Sequence, residues 1–237
     1  MRSLWRCVMK GFTLVLIPAA LVIALVVGVF LFTGTQPSSR SFKEAYSSVE
    51  KLTFLLGEGS VITWEESVIL SYGNISSPAN ESVESIVVKS LSWPSFTICP
   101  MDSASEDNCG EVFFHMIAFP RELVGVDSIN LPSLLYENLT VLMVNNGLVE
   151  LETGWGSRKA FNYTNSTLNC PTQNLSTITK LYVDPESGLV VRGDISLIRA
   201  GLSLTFTYKL ASKPELKGRF EIDRPEKWDW DHSIPPS

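Results

Sequence analysis

Two kinds of hydrophobic pattern divide the chain. Residues 12–32, FTLVLIPAALVIALVVGVFLF, form an apolar run of 21 residues without a charge. As a helix rising about 1.5 Å per residue it would span roughly 31 Å, the thickness of a bilayer's hydrocarbon core. Pro18 falls inside the run, where membrane helices tolerate it. The run is longer than the ~7–15 apolar residues of a cleaved signal peptide, and Thr33-Gly34-Thr35-Gln36 is a weak cleavage site. Length therefore favours an uncleaved signal-anchor. Arg2, Arg6 and Lys10 precede the run with no acid among them, whereas Arg40 and Lys43 follow at a distance, beside Glu44. The positive-inside rule then puts the N-terminus in the cytosol and the C-terminus on the extracytoplasmic side.

Beyond residue 40 the pattern changes to short alternations. Ser41-Phe42-Lys43-Glu44 fits a capping box, and apolar residues at helical spacing up to Gly57 predict a helix over 42–56. Residues 60–72 and 84–98 are rich in β-branched and aromatic side chains and predict strands. Asn146-Gly147 between the apolar runs of 140–152 predicts a hairpin with a type I′ turn. Residues 178–191 predict a second hairpin around Asp184-Pro185-Glu186-Ser187-Gly188, and 195–210 another alternating stretch. Residues 113–123 and 131–137 suit short helices. The fold class expected is a single transmembrane helix followed by a mainly-β (α+β) extracytoplasmic domain. Its parts are a cytosolic segment 1–11, the signal-anchor 12–32, a linker 33–41, the β-rich domain 42–224 and a Trp/Pro-rich tail 225–237. No second apolar span follows, which implies a single-pass chain.

Charge and modification signals fit that layout. With the three N-terminal bases set aside, 16 bases face 25 acids, a balance of −9 beyond the run. Such acidity argues against nucleic acid as a partner. Asn74, Asn80, Asn138, Asn162, Asn165 and Asn174 each open an N-x-S/T sequon, all on the expected outer side. Cys7 stands next to the apolar run as a lipidation candidate or a plain thiol. Cys99, Cys109 and Cys170 are the disulfide candidates, an odd number in an oxidising compartment. Cys99–Cys109 would close a short acidic loop and Cys99–Cys170 would tie distant segments; spacing does not choose between them. The cysteine left over permits a disulfide-linked dimer. Ala20, Ala24 and Gly28, four residues apart, would let two helices approach closely.

Candidate chemistry is sparse. The stretch Trp93-Pro94-Ser95-Phe96-Thr97-Ile98-Cys99 resembles the segment after the first transmembrane helix of the degenerin/epithelial sodium channel family, with Trp93 where phenylalanine is usual. The resemblance implies a β-rich extracellular region and a disulfide from Cys99 to a distant cysteine. Without a second apolar span to complete a conduction path, it implies a truncated or accessory relative of a channel subunit. Arg192-Gly193-Asp194 is an adhesion-type tripeptide, but strand-like neighbours on both sides make Gly193 a bulge residue instead of a loop tip. Asp229, Asp231 and His232 could be read as a metal or nucleotide-sugar motif, yet no domain follows them. His115, within FFHMIAF, suits a packed core. HExxH, GxSxG and P-loop signatures are absent from the sequence. These features predict no catalytic residue, no metal and no cofactor. The function expected is a non-enzymatic single-pass glycoprotein in the secretory pathway or at the cell surface. Its partners would be the bilayer, a protein at the extracytoplasmic face and a second copy of itself. A lumenal enzyme is the remaining alternative.

Overall fold

The computed structural model describes residues 40–73, 75–102, 108–132, 140–165, 168–170 and 175–226. The described residues belong to one compact unit. In this unit, a six-residue helix α1 (Phe42–Ser47) precedes β1 (Lys51–Phe54), β2 (Val61–Tyr72), β3 (Ile75–Ser92), β4 (Ser95–Pro100) and β5 (Gly110–Phe113). Two 3-10 turns, Phe114–Met116 and Arg121–Leu123, lead to β6 (Ser128–Pro132), β7 (Thr140–Thr153), β8 (Gly156–Asn165) and β9 (Leu168–Cys170). Then come β10 (Leu175–Val183), β11 (Val190–Arg199), β12 (Leu202–Leu210) and β13 (Phe220–Asp223).

Strands β5-β4-β3-β2-β12-β11-β10-β8-β7-β6 run in that spatial order as one antiparallel sheet, with β9 beside β10. The sheet curls into a nearly closed barrel. β1 and β13 form a separate pair.

Strict alternation builds this sheet. On β2, Ile62 and Trp64 point into the core, while Thr63 and Glu65 face outwards. Partners across an antiparallel ladder share a face, so Trp64 stands on the inner side with Leu210, as Tyr163 does with Leu181. The outer side carries hydroxyl contacts between neighbouring strands, Thr63 with Ser85 and Ser196 with Thr205, each at 2.9 Å. One end of the barrel is filled by aromatic rings. Phe54 meets Phe96 edge-on at 5.3 Å, Trp93 stacks on Phe114 at 4.9 Å, and Phe119 stacks on Tyr163 at 5.3 Å. The segment carrying Phe114 and Phe119 is held against the start of β11 by Phe119 N–H to Gly188 O (2.8 Å) and Val190 N–H to Ile117 O (2.9 Å).

The expected fold class requires correction. The mainly-β part is present, but no helix among the described residues is long and apolar enough to cross a membrane. The transmembrane, signal-anchor and single-pass designations therefore have no support, and the run 12–32 that suggested them lies outside the described residues. The apolar side chains that are described occur at period 2 and line one face of a sheet, whereas a spanning helix needs them consecutively.

Local elements differ too. The helix expected over 42–56 ends at Ser47, and the Ser41 side chain makes no capping bond. Leu52 and Phe54 alternate with Lys51 and Thr53, and pairing with β13 buries both apolar rows at once. Asn146-Gly147 makes no hairpin; β7 runs through it with a register shift between Asn145 and Leu148. Gly147 takes φ +94, and its N–H is bound by the Asn145 carboxamide oxygen at 2.9 Å. A positive φ serves a bulge as well as a turn. The turn falls at Thr153–Gly156 instead, while the hairpin around 184–188 is present. Of the helices expected over 113–123, only the two 3-10 turns form, and Leu131 and Pro132 belong to β6.

A tight contact joins the β7–β8 turn to the end of β12. Gly154 N–H donates to Leu210 O at 2.7 Å, and a Cβ on Gly154 would fall 1.9 Å from Ala211 O. Backbone blocks that space, so Gly154→Ala should destabilise by about 3 kcal/mol. Gly156→Ala, at φ +90 with open space around it, should cost only about 1 kcal/mol. Equal urea midpoints for the two variants would refute this contact.

Candidate functional site

The inner face does not stop where the core stops. From Trp64, β2 continues with Glu66, Val68, Leu70 and Tyr72 on the same side. Their partners on β12 are Tyr208, Phe206, Leu204 and Leu202, and beyond these on β11 stand Gly193, Ile195, Leu197 and Arg199. Ile75 of β3 pairs with Tyr72. This half of the face is open: Leu70 is 42% exposed, Tyr72 66%, Ile75 73% and Phe206 39%. These apolar side chains are neighbours on one sheet face.

The same face is polar along β3. Ser82 pairs with Glu66, and Glu84 with Trp64. Burial raises the Glu66 carboxyl above the ordinary carboxylate range, and the charge of Glu84 pushes the same way. The strand β4 pairs with β3 only from Ile86 to Ser92, so among the described residues β3 from Ile75 to Glu84 has an open edge. The site is thus a concave apolar strip beside a polar, acidic edge.

Tyr208 forms its floor. Burial raises the phenol well above its usual range, with Asp194 contributing. Its hydroxyl reaches Met116 Sδ at 3.6 Å, and its ring covers Gly193, where a Cβ would fall 2.2 Å from Tyr208 Cζ. That contact explains the glycine of Arg192-Gly193-Asp194. No register shift falls at Gly193, so it marks no bulge; it makes room for a ring. Arg192 Nε binds Asp194 Oδ1 at 3.0 Å, and Thr207 donates to the same oxygen at 2.9 Å. The two charges of the adhesion candidate therefore neutralise each other on a strand.

The remaining sequence candidates are placed as follows. Cys99 is bonded to Cys109 across ten residues of sequence, so the distant partner implied by the channel resemblance is not the one found. The resembling stretch forms a cis Trp93–Pro94 turn and strand β4. Cys170 lies in β9. Cys7, Asn74, Asn138, Asn174 and the tail residues Asp229, Asp231 and His232 lie outside the described residues. Among the described residues, no group of three potential metal-binding side chains occurs.

The sequons divide by environment. Asn80 is exposed on β3, and Asn162 on β8 is half-buried with its oxygen accepting from Thr164 at 3.1 Å. Asn165 is only 4% exposed. Its oxygen accepts the Thr179 N–H at 2.6 Å, and its amide nitrogen donates to Thr177 O at 3.4 Å.

The acidic strip was missed in the sequence. Its signal was parity: Trp64-Glu65-Glu66 puts a carboxylate on the apolar side of an alternating strand. No protein-family model and no curated protein sequence matches this chain.

Two predictions follow from these burials. Glycopeptide mapping should find glycan on Asn80 and Asn162 and none on Asn165, because the Asn165 nitrogen is buried and bonded; a glycan there would sink this assignment. Asn165→Ala should cost about 2 kcal/mol by stranding the Thr179 N–H.

His115 is buried between Phe113 and Phe114, with no partner for Nδ1. Burial lowers its pKa from 6.5 to about 3. The folded imidazole stays neutral where the unfolded one binds a proton. Its contribution to stability is therefore intact above pH 6.5 and declines as the pH falls toward 3. The slope should be about 1.4 kcal/mol per pH unit. Chemical denaturation between pH 7 and 4.5 should show this slope, and His115→Phe should remove that component; an unchanged slope would exclude His115 as its source.

Proposed function

We propose that this chain is a non-enzymatic, extracytoplasmic binding module whose ligand surface is the open half of the barrel's inner face. The observation that carries the reading is the continuation of the apolar parity of β2 and β12 past the filled core, with Leu70, Tyr72, Leu202 and Phe206 left exposed. Outward-facing positions on the same strands are mostly serine, threonine and charged residues. On β12 the exposed apolar side chains, Leu202 and Phe206, both lie on the inner side; on β2, Leu70 and Tyr72 do so, and Ile69 stands exposed on the other. The Cys99–Cys109 bond and the accessible Asn80 support a setting in the secretory lumen or at the cell surface.

The module should bind a neutral apolar dye. Nile red titrated into the full chain should brighten saturably, and the double variant Leu70→Ser, Phe206→Ser should lose most of that signal while keeping its far-ultraviolet circular dichroism. The comparison isolates the barrel, because the apolar run 12–32 is the same in both proteins. Equal brightening by both proteins would eliminate the inner face as the binding surface.

A further inference from the structure

The inner face specifies the chemical class of its ligand. We infer that it takes a slender single-chain amphiphile with a cationic head group: an alkyl chain along Val68, Phe206, Leu204 and Ile195, and the cation between Glu66 and Glu84. This rests on the binding reading above and deepens it.

Shape sets the first condition. The face lies inside a nearly closed barrel and is concave. A second copy of this chain would have to bring a convex apolar surface into it, whereas the outward positions are Ser203, Thr205, Thr207 and Lys209 on β12 and Thr63, Glu65, Ser67, Ile69 and Ser71 on β2. An alkyl chain fits a curved strip between strands and needs no complementary polar groups of its own.

Charge sets the second. Glu66 and Glu84 share the inner side of β2 and β3 by register, and neither has an ion pair or a side-chain hydrogen bond among the described residues. Glu65, one residue away on the other face, is paired with Lys209 at 3.3 Å. The contrast is informative, because the outward carboxylate has its cation and the inward pair has none. The exposed Glu84 repels the half-buried Glu66 at the margin of the apolar surface, and a cation placed between them relieves that repulsion. An anionic head group would add a third negative charge.

Access sets the third. Polarity changes across the strands: Asn80, Ser82 and Glu84 on β3, then Glu66 and Val68 on β2, then Phe206 and Leu204 on β12, then Ile195 and Leu197 on β11. The open edge of β3 borders the polar end. The head group can therefore remain near water at that edge while the chain crosses β2 and β12 into the apolar part.

The test is displacement of bound Nile red from the full chain by three probes of equal chain length, each below its micelle-forming concentration: dodecyltrimethylammonium, dodecyl maltoside and dodecanoate. Dodecyltrimethylammonium should displace the dye at a concentration at least about fivefold below that of dodecanoate, the worth of one half-exposed ion pair. Glu66→Gln with Glu84→Gln should bring the two probes to parity, and an unchanged far-ultraviolet circular dichroism spectrum shows that the variant is folded. Equal potency of cation and anion on the unmodified chain would overturn the head-group assignment and leave the binding reading in place. Dye that binds but resists all three probes would overturn the alkyl-chain occupant. Dye excluded as the chain self-associates, followed by sedimentation, would overturn it in favour of a second copy. Absence of dye binding altogether would remove both readings.

Discussion

The structure depends on side-chain parity along β2. Pairing with β12 runs unbroken along β2, so fixing Trp64 inside also fixes Ile62, Glu66, Val68, Leu70 and Tyr72 on that side. β3 and β12 pair with β2 on either side and transmit the choice across the sheet. A slip of one residue would put the serine and threonine ladder into the core and Trp64 into water. The filled core and the open strip are therefore two halves of one decision.

The difference between those halves comes from what lies beneath them. Near Trp64 the face is covered by the segment from Phe114 to Leu131 and by the β1–β13 pair, whose Leu52 and Phe54 are fully buried. Around Leu70 and Phe206 the described residues offer no equivalent cover. An apolar face is normally buried because exposure costs about 25 cal/mol per Å². Keeping one exposed sacrifices stability, which is the usual condition of a surface that binds something.

Buried polar groups show how the fold tolerates internal chemistry. Asp184 binds Arg158 at 2.6 Å and caps the turn through the Ser187 N–H at 2.8 Å. The Tyr163 hydroxyl accepts from Gly125 N–H at 2.9 Å. Asn165 closes the gap between β8 and β10. Each of these groups is satisfied by its neighbours. Among the described residues, His115 Nδ1 is the buried side-chain atom that is not, and it sets the acid sensitivity.

The sequence alone determined what is local. Alternation at 60–72 and 195–210 and the Asp-Pro-Glu-Ser-Gly turn correspond to β2, β12 and the β10–β11 hairpin, because strand periodicity and turn chemistry are written within a few residues. Acidity, sequons and an odd number of cysteines beyond residue 40 were equally legible. Tertiary structure decided everything that needed a partner. Asn146-Gly147 became a bulge because the β7 ladder continues past it to a turn at Gly154 and Gly156. Leu52 and Phe54 became a strand because β13 lay alongside. Arg192 and Asp194 neutralised each other because Gly193 had to admit Tyr208. Cys99 is bonded to Cys109, a choice between partners that spacing left open. The acidic strip itself exists only once register sets Glu84 beside Glu66, two residues eighteen positions apart. Periodicity fixes which side of a strand a residue occupies; only pairing fixes what stands next to it.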